Sequence, residues 1–255
     1  MFDRLFTIGC SFTQYWRWPT WADALGRQAN FYENWGLCGA GNSYILYSLM
    51  ECHQRYQLTE KDTVMIMWTN TSREDRYLKN RWQEGGNVYW SAGSTLPRDY
   101  VKNFTCERGY LIRDLANIAA AKHFLQSVGC RWEFMSMVPL DNTNESNGLG
   151  SNPDDSATND NDVRDLYRDV LNSIHPSVYK TLFNYDWKSR PGIPDNFDPK
   201  QRDFHPTPME HVEYITQIFP GIITESNTVN WMLDCEQQAR ANTLKWHEPN
   251  RPNRL

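Results

Sequence analysis

Leu5-Phe6-Thr7-Ile8-Gly9-Cys10-Ser11-Phe12-Thr13 is the stretch on which the fold turns. Four mainly apolar residues stop at a glycine, and a serine follows two positions later, the pattern of a buried strand running into a tight loop. A helix is expected next over residues 19 to 25, opened by Pro19 and closed at Gly26. Working outward, residues 29 to 35 predict a second strand. From Asn42 a helix is expected whose stripe Ile45, Leu49, Cys52, Tyr56 keeps a four-residue step. Residues 63 to 68 (Thr-Val-Met-Ile-Met-Trp) are almost continuously apolar, as a parallel strand covered on both faces requires.

The alternation continues. Residues 107 to 128 carry Leu111, Leu115, Ile118, Leu125 and Val128 at helical spacing, and a strand is expected over 132 to 138. Further helices are expected over 162 to 174, from Pro208, where Thr207 and Glu210 form a T-x-x-E capping box, and over 229 to 244. Repeated β-α steps predict an α/β fold, a three-layer α/β/α sandwich around a central parallel sheet. The expected domain spans residues 1–223, with 224–255 a helical extension whose last eight residues form a tail. Residues 141–162 hold five Asp, six Asn and no Lys or Arg, too little apolar material to order themselves, and predict a polar insertion.

Composition narrows the function. With 255 residues, 40% hydrophobic and 22% charged, the chain has material for a core of ordinary size. Lys and Arg total 26 against 31 Asp and Glu, a net charge of −5 that argues against nucleic acid and anionic membrane as partners. No run approaches the ~18–20 apolar residues of a membrane span, and the opening residues lack a long apolar signal core, so cytoplasmic synthesis without a signal peptide is expected. The six cysteines form no C-x-x-C pair, and no H-E-x-x-H occurs. Neither metal nor cofactor is expected.

Three strand ends carry reactive groups. Ser11 follows the first strand, at the carboxyl edge where open α/β sheets gather their chemistry. Gly39, in Asn34-Trp35-Gly36-Leu37-Cys38-Gly39, and Asn70, in Trp68-Thr69-Asn70, follow the next two. A backbone N–H and a side-chain amide at that edge are candidate oxyanion donors, each worth roughly 3–4 kcal/mol in acyl transfer. Asp203-Phe204-His205-Pro206 adds a carboxylate two residues before a histidine that lies just ahead of a helix. Taken singly, each residue is as well explained by a turn or a cap. Together they compose nucleophile, base, orienting acid and donors. His211 and Trp21 are assigned to the core.

These blocks resemble the SGNH hydrolases, also called GDSL esterases and lipases, over roughly residues 5 to 219. Ser11 is similar to the family's nucleophile, Gly39 and Asn70 to its second and third signature residues, and His205 to its histidine. The resemblance implies an acyl-serine mechanism with Ser11, Asp203 and His205 as catalytic residues and an oxyanion hole of the Ser11 and Gly39 N–H groups with the Asn70 amide. Three positions depart from the family pattern. Cys10 replaces the usual Asp, Trp68 replaces the usual glycine before Thr-Asn, and the acid stands two rather than three residues before the histidine, where Arg202 occupies the usual place. The shorter spacing is expected to orient the ring less well, and the Trp68 ring to narrow the site.

Residues 6 to 25 are also similar to SGNH-like proteins encoded by bacteriophages, which implies a virion location or a household role during infection. The leading expectation is an esterase acting on an acylated small molecule or glycan, removing acetyl or another small acyl group, with Trp16, Trp18, Trp68 and Trp90 as substrate surfaces. The rival is a virion structural or glycan-binding protein with an idle site, contacting virion proteins or itself through its C-terminal extension.

Overall fold

Asp62–Trp68 is buried along its whole length, and its position explains why. The computed structural model describes residues 2–83, 86–88, 96–141, 160–184, 186, 190–195, 200–246 and 252. Within them a four-stranded parallel sheet is built from β1 (Phe2–Gly9), β2 (Ala29–Asn34), β3 (Asp62–Trp68) and a fourth strand, Arg131–Ser136, in the order β2, β1, β3, fourth strand. β3 therefore lies inside the sheet with neighbours on both edges, and helices cover both faces.

Helix α1 (Trp21–Gly26) precedes β2, and α2 (Asn42–Tyr56) precedes β3. After β3 come a hairpin of β4 (Arg76–Leu78) and β5 (Arg81–Gln83), then α3 (Arg98–Phe104) and α4 (Glu107–Val128). The fourth sheet strand, β6, is followed by α5 (Asn161–Leu166), α6 (Arg168–Leu171) and α7 (Val178–Phe183). A small antiparallel pair, β7 (Ile193–Pro194) and β8 (Arg202–Asp203), leads into α8 (Pro208–Ile218) and α9 (Ser226–Arg240). α2 packs on α4, while α1, α8 and α9 pack on one another as a second group. The architecture is the three-layer α/β/α sandwich that the alternation predicted. Beyond β6 the sheet gains a single parallel bridge, Phe134 to Ile174.

Local chemistry sets the boundaries. Thr20 caps α1 with Asp23 in a reciprocal box, so that helix begins at Trp21 and Pro19 stays outside it. α8 begins as expected, with the Thr207–Glu210 box and Pro208 in the first turn. The helix expected over 162 to 174 is broken at Tyr167, which ends α5 and leaves the helical region between it and α6. The β4–β5 hairpin lies between β3 and α3. Its two-residue turn, Lys79 and Asn80, takes φ of 53° and 59°, the left-handed pair that suits a tight hairpin.

The 224–255 stretch does not project from the sandwich over its described part. Met232 on α9 is fully buried with Ala24 and Val212. The polar segment 142–159, like Trp90, lies outside the described residues. No helix of the described residues is long and apolar enough to cross a membrane.

α8 buries His211, whose Nδ1 has no hydrogen-bond partner among the described residues. Burial, followed by the charges of His205 and Arg190, lowers its pKa from 6.5 to about 3. Between those two values the unfolded chain holds a proton that the folded chain does not, so stability falls as pH drops below 6.5. The slope from this one group is at most about 1.4 kcal/mol per pH unit. His211→Gln is expected to flatten that decline in urea unfolding curves recorded from pH 7 to pH 4; parallel curves for both proteins would refute it.

Candidate active site

Ser11, His205 and Asp203 form an unbroken hydrogen-bonded row. Ser11 Oγ lies 3.1 Å from His205 Nε2, and His205 Nδ1 lies 2.8 Å from Asp203 Oδ1. The serine is placed by the turn after β1, where the Thr13 and Gln14 N–H groups both donate to the Cys10 carbonyl. Gly9 makes that turn possible: a Cβ there would stand 2.1 Å from Thr13 Oγ1 and 2.9 Å from the Met67 carbonyl. Cys10 is buried with Sγ 3.9 Å from Met137 Sδ. Sulfur packing holds the loop there.

The two-residue spacing of acid and base turns out to be well suited to the row. Asp203 Oδ1 accepts both the His205 backbone N–H, at 3.0 Å, and the ring nitrogen. That is an Asx-type turn, which needs its acceptor two residues before its donor. The expectation that D-x-H orients the ring poorly is therefore corrected. Burial alone would raise the Asp203 carboxyl, but the hydrogen bond and charge of His205, with the Tyr15 hydroxyl, hold it well below the usual carboxylate range. It is a carboxylate at neutral pH.

Asn70 and Gly39 lie at the same sheet edge as Ser11, because β1 is flanked by β2 on one side and β3 on the other. The edge where a central strand feeds crossovers to both sides is where open α/β sheets bind ligands. Gly39 takes a φ of 72°, in the left-handed region that glycine occupies without strain. Among the described residues neither the Ser11 nor the Gly39 backbone N–H has an acceptor. Asn70 Oδ1 accepts from the Ser72 N–H at 2.5 Å, which fixes the amide and turns its Nδ2 donor the other way. Asn42, fully buried, clasps the preceding residue from both sides: its Oδ1 accepts from the Thr69 N–H at 2.9 Å and its Nδ2 donates to the Thr69 carbonyl at 3.1 Å.

Two of the tryptophans read as substrate surfaces are corrected. Trp68 is fully buried, edge-on to Phe134 in the core. Trp18 is fully buried too, and its Nε1 donates to the Pro206 carbonyl at 2.9 Å, so it braces the histidine loop. Neither presents a face to a ligand. Trp16 is 44% exposed and adjoins Tyr15, with ring centroids 5.8 Å apart.

Sequence reasoning passed over several residues at this site. Tyr15 stacks on the His205 ring, centroids 4.1 Å apart and planes 23° apart, and its hydroxyl donates to Asp203 Oδ2. Burial, then the charge of Asp203, pushes the Tyr15 phenol well above its ordinary value, so it remains a donor. Arg17 donates from Nη1 to the same Oδ2 at 2.9 Å. Arg190 donates to the Phe204 carbonyl at 2.6 Å and pairs with Glu210, tying the histidine loop to α8. No three His, Cys, Asp or Glu side chains among the described residues form a cluster that could hold a metal ion.

No family model matches the chain, and no curated protein matches it. Among solved structures it is similar to a member of the lipolytic protein G-D-S-L family from Veillonella parvula DSM 2008, at 12% identity and a TM-score of 0.43, covering 85% of this chain and 98% of that one. It is also similar to the psychrotrophic esterase EstA from Pseudoalteromonas sp., in a structure inhibited by monoethylphosphonate, at 12% identity and a TM-score of 0.43, covering 91% and 99%. The chemistry proposed below rests on this chain's own residues.

Proposed function

We propose that the chain is a serine esterase of the SGNH type, and one observation carries the reading: Ser11 Oγ, His205 and Asp203 form a hydrogen-bonded row at the sheet edge to which β2 and β3 also lead. His205 takes the Ser11 proton as Oγ attacks the ester carbonyl, and the new oxyanion accepts from Ser11 N–H, Gly39 N–H and Asn70 Nδ2. Collapse breaks the bond to the alcohol, which leaves with the proton from His205, and the acyl group stays on Ser11. Water then enters, gives a proton to His205 and attacks the acyl carbon. Its collapse releases the acid and returns the proton to Ser11.

Intact-mass measurement after treatment with a fluorophosphonate is the direct test. A single adduct on Ser11, absent from Ser11→Ala, is expected. An unlabelled protein would mean an idle scaffold, the structural or glycan-binding rival.

The substrate class proposed is an acylated carbohydrate carrying acetyl or another small acyl group. The exposed Trp16 ring beside Tyr15 supports it, since flat apolar faces suit sugar rings. Release of acetate from acetylated sugars, compared between wild type and Trp16→Ala, tests that part separately from the reaction. The bacteriophage setting rests on the likeness of residues 6 to 25 alone, and its test is detection of the chain in purified particles.

Asn70→Ala should act on rate rather than binding. As a proposed donor to charge that exists only in the transition state, it contributes little to ground-state binding, so kcat is expected to fall by ~10²–10³ with KM nearly unchanged. A change confined to KM would make Asn70 a substrate contact instead.

A further inference from the structure

We infer that Tyr15 and Arg17 are positioning residues for Asp203, holding the acid of the row in the place that its own short strand cannot hold alone. The inference rests on the esterase reading of Ser11 and His205 and extends it to a second pair of side chains.

Asp203 sits on β8, two residues long and paired only with the equally short β7. Backbone ladders of that size fix little. Its Oδ1 is taken up by His205, through ring and backbone. Its Oδ2 receives Tyr15 O–H and Arg17 Nη1–H, both from the loop that follows Ser11. Arg17 also donates from Nη2 to the Pro194 carbonyl at 2.8 Å, on the opposite strand of the pair. One guanidinium thus ties both strands of the hairpin to the nucleophile's loop. The ion pair is dry, with the Arg17 side chain 2% and the Asp203 side chain 7% exposed. Such a pair is costly to bury unless its geometry is good, and here four donors saturate the two oxygens.

Tyr15 does two things at once. Its hydroxyl anchors the acid while its ring face stacks on the base. Arg17 in turn lies over Trp18, its Cζ 4.8 Å from the ring, and Trp18 holds Pro206. The donors also draw charge density from the carboxylate, so they restrain how strongly it holds an imidazolium. Around His205 stand Asp203, Ser11, Tyr15 and Phe12, with the charge of His205 also felt at His211.

Tyr15→Phe keeps the stacked ring and removes the hydroxyl alone. It is expected to lower kcat by about 10–100-fold, the worth of one hydrogen bond to a charged group, with KM unchanged. The acidic limb of the kcat/KM profile should move to higher pH, because a carboxylate relieved of a donor stabilises the protonated ring more. Arg17→Gln should shift the limb the same way, and Arg17→Lys should restore part of both effects. A merely structural role would lower activity without moving the limb. Proton NMR of the low-field His205 Nδ1–H, recorded in wild type and in Ser11→Ala, reads the Asp203 contact without turnover. Tyr15→Phe should shift or broaden that signal. An unshifted limb and an unchanged signal in Tyr15→Phe would overturn the inference. A wild type with neither turnover nor adduct would overturn the esterase reading instead, and the NMR arm alone would then decide whether Tyr15 and Arg17 position Asp203.

Discussion

Ser11→Ala is expected to reduce hydrolysis of a short aryl ester by ~10⁴–10⁶-fold while the melting temperature stays within a few degrees of wild type. Only the hydroxyl group is removed. It lies in a turn whose backbone is held by the Cys10 carbonyl and by Gly9, neither of which the substitution touches. What disappears is the group 3.1 Å from His205 Nε2, so no acyl-enzyme can form. Residual turnover would then come from the oxyanion donors and binding alone. Rates near wild type in Ser11→Ala would end the acyl-serine mechanism.

The second large effect belongs to Asp203→Asn, for which a loss of ~10⁴-fold is expected together with a clear drop in melting temperature. An amide has one oxygen where the carboxylate has two. If that oxygen faces His205, the new NH₂ meets the Tyr15 hydroxyl and the Arg17 guanidinium, donors against a donor. If the amide flips, NH₂ faces the His205 N–H and forces the ring into the tautomer that leaves no free electron pair toward Ser11. Either orientation also leaves the buried Arg17 charge without its counter-ion. The combination distinguishes this site from one in which the acid only orients: Ser11→Ala loses rate alone, and Asp203→Asn loses rate and stability. Kinetics with calorimetry on both variants checks it, and a fully active Asp203→Asn would require another carboxylate for the row.

The parts of this molecule that were legible in its sequence are those that depend on neighbours in the chain. β1 and β3 read as strands because both faces are covered, which leaves a nearly continuous apolar run. α8 announced its start through Thr207, Pro208 and Glu210. The parts that were not legible depend on partners far away. Tyr15 and Arg17 stand 188 and 186 residues from the carboxylate they hold, and no spacing rule connects them. Trp18 read as a ligand surface because composition reports that a ring is present and not which way it faces. Asn42 looked like the start of a helix, which it is, and gave no sign that its amide would also clasp Thr69. The D-x-H spacing was a family departure on paper, and only the shared Oδ1 shows how the shorter interval works.

Trp246 donates from Nε1 to the Tyr15 carbonyl at 3.1 Å, so a residue 231 positions later in the chain closes over the loop that follows the nucleophile. The consequence concerns biosynthesis. Ser11 is polymerised 194 residues before His205. At about 5–20 residues per second, roughly 10–40 s of translation separate the nucleophile from its base. During that interval the nascent chain carries Ser11 without His205, and the proposed ester cleavage would begin only when the distant half of the chain has emerged and closed on the first. Turnover measured during synthesis on stalled ribosomes would therefore time the last long-range closure of the fold.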